Sequence, residues 1–366
     1  MRSTAFTRAQ RPSAPAGVAR PRTSVVRRAE RAGIAPAEQN AWTKFVEGEW
    51  EGVTASFGPD GAPQPLPERF VPDAYREWGV ELFDWQTQCS ATTGAGGNEL
   101  RSTLRRLMPT VGCEADAVAF TEDATTSATA AAGAPAAAAA GAAASEALAW
   151  LPDGSYSVGP ASFDPEEASK LRFESCFAME GLSLEGAPAT PPAAGGAPRY
   201  RLKVAQVLAR NWADGSWRVA SVELHRERYE GPFTGRKELA GCGGGQPAIS
   251  KLAPTPPDQI FSGGWAAEGG VVLEAAPNGG LAPAPAAGSG GAPFGGGGAA
   301  AGGGGAAVVE TLLPLGAWSV VAFDGPGALR VEAGALSADG ARRQVASRSY
   351  AAGAVARVAV GVDRRA

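Results

Sequence analysis

The side chains able to do chemistry are few and scattered. The chain has one histidine, His225, and four cysteines, Cys89, Cys113, Cys176 and Cys242. A nucleophilic triad needs a Ser or Cys and a carboxylate brought to the histidine, and nothing near His225 in sequence supplies that set. A zinc site draws on several His or Cys at short spacing, a pattern the sequence lacks. His225 therefore reads as an exposed or hydrogen-bonded strand residue. The cysteines are widely spaced with no Cys-x-x-Cys. Reduced thiols fit that spacing better than a disulfide framework does, with a redox-switch pair as the alternative. Asp164, Glu166 and Glu167 fall in a polar turn and read as a solvated face, not as an acid/base pair. The glycine tracts at 294–305 precede no Gly-Lys-Ser/Thr and have no strand–helix context, so they are not a phosphate cradle. These residues predict no enzyme, no catalytic or metal site, and no cofactor.

Aromatic residues carry the remaining signal. Trp42, Trp50, Trp78 and Trp85 fall within one short region. As packing they fill a core or plug a barrel end; as function they line a rim and anchor a partner, because Trp and Arg dominate protein interfaces. Tyr75, Arg76 and Trp78, next to a proline-rich connection (Pro63, Pro65, Pro67), are candidate partner-binding residues, and so is Trp212 at a hairpin turn. Trp50 and Trp265 are candidate barrel plugs. A small apolar ligand such as a tetrapyrrole or lipid in a barrel lumen is a third use of the same aromatics.

The elements that must position these residues are strands. Residues 41–57 hold a short amphipathic helix with Trp42, Phe45 and Val46 on one face, then Gly48-Glu49-Trp50 entering an alternating strand. Gly-x-Trp leading into a strand is how small up-and-down barrels of the lipocalin type often begin. A strand follows at 80–89. Its alternation puts Val80, Leu82, Asp84, Gln86 and Gln88 on one face and Glu81, Phe83, Trp85, Thr87 and Cys89 on the other, which predicts either a polar lumen or a filled barrel with satisfied polar groups. Further strands are expected at 99–110, 116–122, 149–158 and 170–179. The clearest hairpin spans 199–229, with an Asp-Gly turn at Asp214-Gly215. A second Gly-x-Trp at Gly263-Gly264-Trp265 opens another series of strands. Both halves also carry Arg and Tyr on a late strand: Arg226, Arg228 and Tyr229 against Arg348 and Tyr350. The sequence thus predicts an all-β fold of two related antiparallel barrels with minor helical elements.

Composition sets the boundaries. The 366 residues include 50 Gly and 29 Pro, a bias that marks low-complexity insertions. Residues 1–32 hold eight arginines and one acid, Glu30, with Ser and Thr interspersed. That is the pattern of an organelle transit peptide, and the alternative is a basic tail. The rest of the chain is acidic, which argues against nucleic acid. No run of 18 strongly apolar residues predicts a membrane span. The expected divisions are a first barrel over 33–240 with an Ala-rich surface insertion at 124–149, a linker at 241–257, and a second barrel over 258–366 with a Gly/Ala-rich insertion at 276–307.

Two runs, NAWTKFVEGEWEG (40–52) and LPERFVPDAYREWGVELFDWQTQCS (66–90), resemble a chloroplast family, the biogenesis factor required for ATP synthase, of plants and green algae. That family lies within a wider plant and cyanobacterial group of calycin-like proteins. The resemblance is strongest over 40–90, looser through 199–232 and 263–265, and does not reach the insertions. It implies two β-barrels set in a V, a chloroplast stromal location, and a non-catalytic factor for assembling the CF1 head of the ATP synthase through its β and γ subunits. The alternative is a calycin-type binding protein for a bilin, fatty acid or other plastid small molecule.

Overall fold

The structure is a computed structural model describing residues 42–94, 97, 99–111, 120–129, 146–178, 199–235, 248–277, 281–284 and 307–366. The basic leader expected at 1–32, the central part of each insertion, Cys113 and Cys242 lie outside these residues. The described chain belongs to one compact unit, Ile34–Ala366.

The fold is all-β. A helical turn, α1 (residues 42–46), leads into β1 (Gly48–Phe57). Then come β2 (Pro63–Gln64), a 3-10 turn (Glu68–Phe70), α2 (Asp73–Glu77), β3 (Asp84–Thr93), β4 (Glu99–Leu107) and β5 (Phe120–Thr129). The first sheet continues with β6 (Glu146–Trp150), β7 (Tyr156–Pro160), β8 (Lys170–Phe177), β9 (Tyr200–Arg210) and β10 (Trp217–Gly231). All these strands lie in one sheet, which closes because β1 pairs with both β3 and β10. One pairing in the ring, β5 with β6, is parallel.

The second sheet follows α3 (Pro257–Phe261). It holds β11 (Trp265–Ala275), β12 (Leu281–Pro283), β13 (Ala307–Leu312), β14 (Ala317–Gly325), β15 (Ala328–Leu336), β16 (Arg342–Ala351) and β17 (Ala354–Arg365). Its order is β12-β11-β17-β16-β15-β14-β13, with no closing pair among the described residues.

Several sequence expectations change. The strand expected from residue 80 starts at Asp84, because Gly79 turns with φ +67° and Leu66 N–H donates to Leu82 O at 2.7 Å, closing a loop over 66–82. The strand expected at 116–122 runs instead to Thr129. The Ala-rich insertion is shorter than 124–149, since both ends are strand. Ala147 and Ala149 are buried, and small residues suit a wall onto which another sheet packs. The short strand β12 lies within the stretch assigned to the second insertion. Phe45 is 42% exposed, while Trp42 and Val46 are buried.

The two sheets share one core. Val53, Ala55, Phe57, Phe173, Leu202, Val204 and Leu224 from the outer wall of the barrel cluster with Ala317, Val321, Val331, Ala346, Val358 and Val360 from the second sheet. Polar pins cross the same contact. Gln206 Nε2 donates to Ser319 Oγ at 2.9 Å and to Glu332 O at 2.8 Å. Arg348, almost fully buried, donates to Ser157 Oγ at 2.9 Å and to Ala147 O at 2.6 Å. These bonds offset part of the desolvation of the buried polar groups and fix how the sheets sit.

Candidate functional site

The barrel lumen follows from strand parity. On the face bearing Val53, Leu224 and Val204 the barrel meets the second sheet, so the alternate residues point inward. Cross-strand pairs carry that parity around the ring: Thr54 opposite His225, Gly52 opposite Glu227, and Arg201 opposite Glu227. The lumen therefore receives Trp50, Thr54, Trp85, Thr87, Cys89, Tyr156, Arg172, Glu174, Cys176, Arg201, Lys203, Glu223, His225 and Glu227. Side chains from strands that are not neighbours meet there, as where Arg201 Nη2 of β9 lies 3.4 Å from Cys89 Sγ of β3.

Two charged groups organise this interior. In the first, Glu227 takes Arg201 Nε at 2.6 Å and Lys203 Nζ at 2.7 Å, with all three side chains buried. Burial pushes the Glu227 carboxyl up, but Arg201 and Lys203 overcome this and hold it below its ordinary range. In the second, Glu223 takes Arg172 Nη1 at 2.7 Å and Arg106 Nη2 at 3.3 Å. His225 Nε2 lies 3.5 Å from Glu223, and its Nδ1 is 2.7 Å from Thr54 Oγ1. A carboxylate facing Nε2 favours the proton there, so the Thr54 hydroxyl donates to Nδ1. Burial lowers the His225 pKa and keeps the ring neutral at pH 7. Glu174 links the groups: Arg172 Nη2 lies 3.4 Å away and Tyr156 OH donates to it at 2.8 Å. Burial raises Glu174, and Lys203 and Arg172 outweigh that, holding it at about 2.

The two described cysteines are buried free thiols. Burial pushes the Cys176 thiol up to about 12 and raises that of Cys89 despite nearby Lys203 and Arg201. His225 is fully buried and hydrogen-bonded, so of its two expected environments the exposed one falls. The face assignment of β3 holds, with Trp85, Thr87 and Cys89 inward. Asp84, on the other face, lies outside. It accepts from Ile249 N–H at 2.7 Å and Ser250 N–H at 3.1 Å and so ties the inter-sheet connection to the barrel wall. Arg228 is also on the outer face, 2.7 Å from Glu230.

The α1 end of the lumen is aromatic. Trp42 stacks on Trp150 (centroids 5.2 Å, planes 7° apart) and donates to Gly97 O at 2.9 Å. Trp50, 3% exposed, belongs to a separate cluster with Cys89 and Leu104: its Nε1 donates to Val46 O at 3.2 Å, and the Arg201 guanidinium lies 3.8 Å over its ring.

Trp265 has the same arrangement. Arg343 Cζ lies 4.6 Å over its ring, Arg343 Nη1 donates to Ile260 O at 3.2 Å, and Arg343 Nε donates to Asp363 Oδ2 at 3.0 Å. In the barrel Arg201 likewise reaches Val46 O, at 3.4 Å, and Glu227. The register agrees: Trp50 opposes Tyr229 and Trp265 opposes Arg365, each two residues beyond the carboxylate. The repeat is thus real, but its equivalent residues are Arg201–Glu227 and Arg343–Asp363. The pairing expected between Arg226, Arg228 and Tyr229 and Arg348 and Tyr350 is wrong, because Arg348 faces the barrel across the sheet contact.

The candidate contact residues lie on connections at the barrel end opposite α1. Trp78 is 63% exposed and Trp212 64% exposed. Tyr75 meets Trp78 edge-on at 5.9 Å, and Arg76 pairs with Asp73. Trp212 has Arg210 at 5.1 Å over its ring. Among the described residues, no ring contact joins Trp212 to the Tyr75–Trp78 group. Sequence reasoning missed the lumen charges. Their signal was the period-two run Glu223-x-His225-x-Glu227 facing Arg201-x-Lys203 across the hairpin, an inward charged stripe in a strand with a buried apolar outer face.

Among the described residues, no helix is long and apolar enough to cross a membrane. No family model and no curated relative matches the chain. One similar solved structure is a protein of unknown function from the DUF3598 family of Nostoc punctiforme PCC 73102, 17% identical, with a TM-score of 0.45 over 90% of this chain and 99% of that one. Another is a putative outer membrane protein from Bacteroides fragilis NCTC 9343, 6% identical, with a TM-score of 0.14 over 89% of this chain and 99% of that one. At these TM-scores neither likeness bears on function.

Proposed function

We propose that the protein is a non-catalytic assembly factor that works by docking other proteins on its outer surface, and that its partners are the β and γ subunits of the chloroplast CF1 head, met in the stroma. The observation that carries the docking part is the filled lumen. The interior where a calycin would hold a bilin or fatty acid is occupied by the buried Arg201, Lys203 and Glu227, by the partly buried pair Arg172–Glu223, and by Trp42 and Trp50. A ligand entering there would have to displace buried ion pairs and leave charges uncompensated, a loss of several kcal/mol per broken pair. Work is then left to the exterior, where Trp78 and Trp212 stand exposed. The choice of partners and of the stroma comes from the resemblance and the basic leader. Absence of catalysis is supported by the pairing of Glu174, Glu223 and Glu227 with cations and by the burial of the two described thiols, Cys89 and Cys176.

The experiment is capture of CF1 β and γ from stroma by the purified full chain, alongside measurement of assembled CF1 in plants or algae lacking it. Enrichment of both subunits and a fall in assembled CF1 are expected. Normal CF1 levels, or capture without β and γ, would sink the reading.

A further inference from the structure

The connection between β2 and β3 is a braced knuckle. Its base is closed by the Leu66–Leu82 backbone bond, and Leu66 is buried. Above it, Trp78 N–H donates to Ala74 O and Val80 N–H donates to Tyr75 O at 2.9 Å, while Tyr75 OH donates to Thr110 O at 3.1 Å and anchors α2 to the chain beyond β4. All of residues 76–81 are nevertheless exposed. A large ring held in water on a pre-ordered turn loses little entropy on binding, and Trp is the residue most enriched among interface hot spots.

The charges around it are sorted. Arg76 is occupied by Asp73, Arg69 lies 4.6 Å over the Phe70 ring, and Asp84 holds residues 249 and 250. Glu77 and Glu81, both exposed, flank Trp78-Gly79-Val80 on either side. We infer that this knuckle is the anchor for a partner protein whose surface offers an apolar pocket rimmed by Lys or Arg, the Trp78 ring entering the pocket and Glu77 and Glu81 meeting the rim. This rests on the docking reading above and names its surface and the chemistry of the partner. An anionic bilayer also accepts exposed Trp, but would repel both glutamates.

Photocrosslinking tests it. The full chain carrying Val80→p-benzoylphenylalanine is irradiated in stromal extract and the joined peptides are sequenced. The expected product is an apolar segment with Lys or Arg beside it. Its yield falls at least tenfold with Trp78→Ala and severalfold with Glu77→Lys plus Glu81→Lys, and drops as salt is raised. Thermal unfolding of Trp78→Ala stays unchanged, because the ring is exposed. No Trp78-dependent product, a joined segment that is acidic, or Trp78-dependent sedimentation with phosphatidylglycerol vesicles overturns the inference. If the full chain still captures CF1 β and γ equally with Trp78→Ala, the anchor is wrong and the assembly reading survives. If the Trp78-dependent product is a basic segment of a protein outside CF1, the anchor stands and the assembly reading falls.

Discussion

The two Gly-x-Trp modules have the same parts and different surroundings. In each, a helical turn precedes the glycine, an arginine from the penultimate strand covers the indole, and that arginine joins a helix-end carbonyl to a carboxylate on the last strand. In the barrel the module is sealed. Trp50 is 3% exposed, Glu227 has a second cation in Lys203, and Tyr229 packs edge-on against the indole at 5.2 Å. In the second sheet Trp265 is only half-buried, Asp363 has Arg343 beside it, and Arg365 takes the place of Tyr229. Closure of the first sheet makes the difference. The two ion pairs are equally buried, but the ring of strands also seals the Trp50 indole and adds Lys203 beside Glu227, so the first latch bears more of the stability.

The largest test of that contrast is truncation of the two tryptophans. Trp50→Ala should cost about 3–5 kcal/mol, and Trp265→Ala about 1–2 kcal/mol because much of its ring is already in water. Urea unfolding of both variants measures this, and equal losses would break the comparison. Next is Arg201→Leu. It leaves the buried Glu227 with Lys203 alone and should cost about 3–4 kcal/mol, in the range for breaking a buried pair. Arg343→Leu should cost less at pH 5 than at pH 7, because burial already raises the Asp363 pKa and eases its neutralisation; a loss independent of pH would contradict this.

A smaller effect separates the positions two residues past each tryptophan. A Cβ at Gly52 would lie 2.1 Å from Arg226 O, so Gly52→Ala should cost about 1–3 kcal/mol in strain. Ala267, its counterpart, is exposed, and Ala267→Gly should change stability by about 0.5–1 kcal/mol at most. Guanidinium melts of the two variants would reveal any reversal of that order.

The smallest difference is one of slope with pH. Glu174, Glu223 and Glu227 have folded pKa values below their unfolded ones, with Glu174 at about 2. The stability they give is complete above the ordinary glutamate range and is lost as pH falls toward 2. Asp363 and Glu332 are raised by burial, so just above the ordinary range the folded state holds the extra proton and their contribution falls as pH rises. Unfolding midpoints between pH 2.5 and 6 should therefore flatten at the acid end with Glu174→Gln and rise more steeply with Asp363→Asn. The same direction of change in both variants would erase the distinction.

Much of the barrel was legible in the residues. The hairpin at 199–229 and the turn at Asp214-Gly215 follow from alternation and turn chemistry, and both Gly-x-Trp openings were visible. Strand ends beside low-complexity stretches were not, because alanine carries little β signal until another sheet packs on it, as at Ala147 and Ala149. The role of Asp84 on the outer face was not legible either, because its partners Ile249 and Ser250 lie 165 and 166 residues away.

By itself the sequence determined the class of fold and the repeated module openings, since these depend on period-two alternation, turn residues and side-chain types within a few positions. Only the tertiary structure decided that the lumen is an ion-paired interior and that the true repeat pairs Arg201–Glu227 with Arg343–Asp363. It also placed Trp78 in water while Trp42 and Trp50 are sealed. Those outcomes depend on which strands become neighbours across the closed ring and on which face the second sheet covers. An alternating strand shows that it has two faces, but the contact that buries one of them decides which is inside.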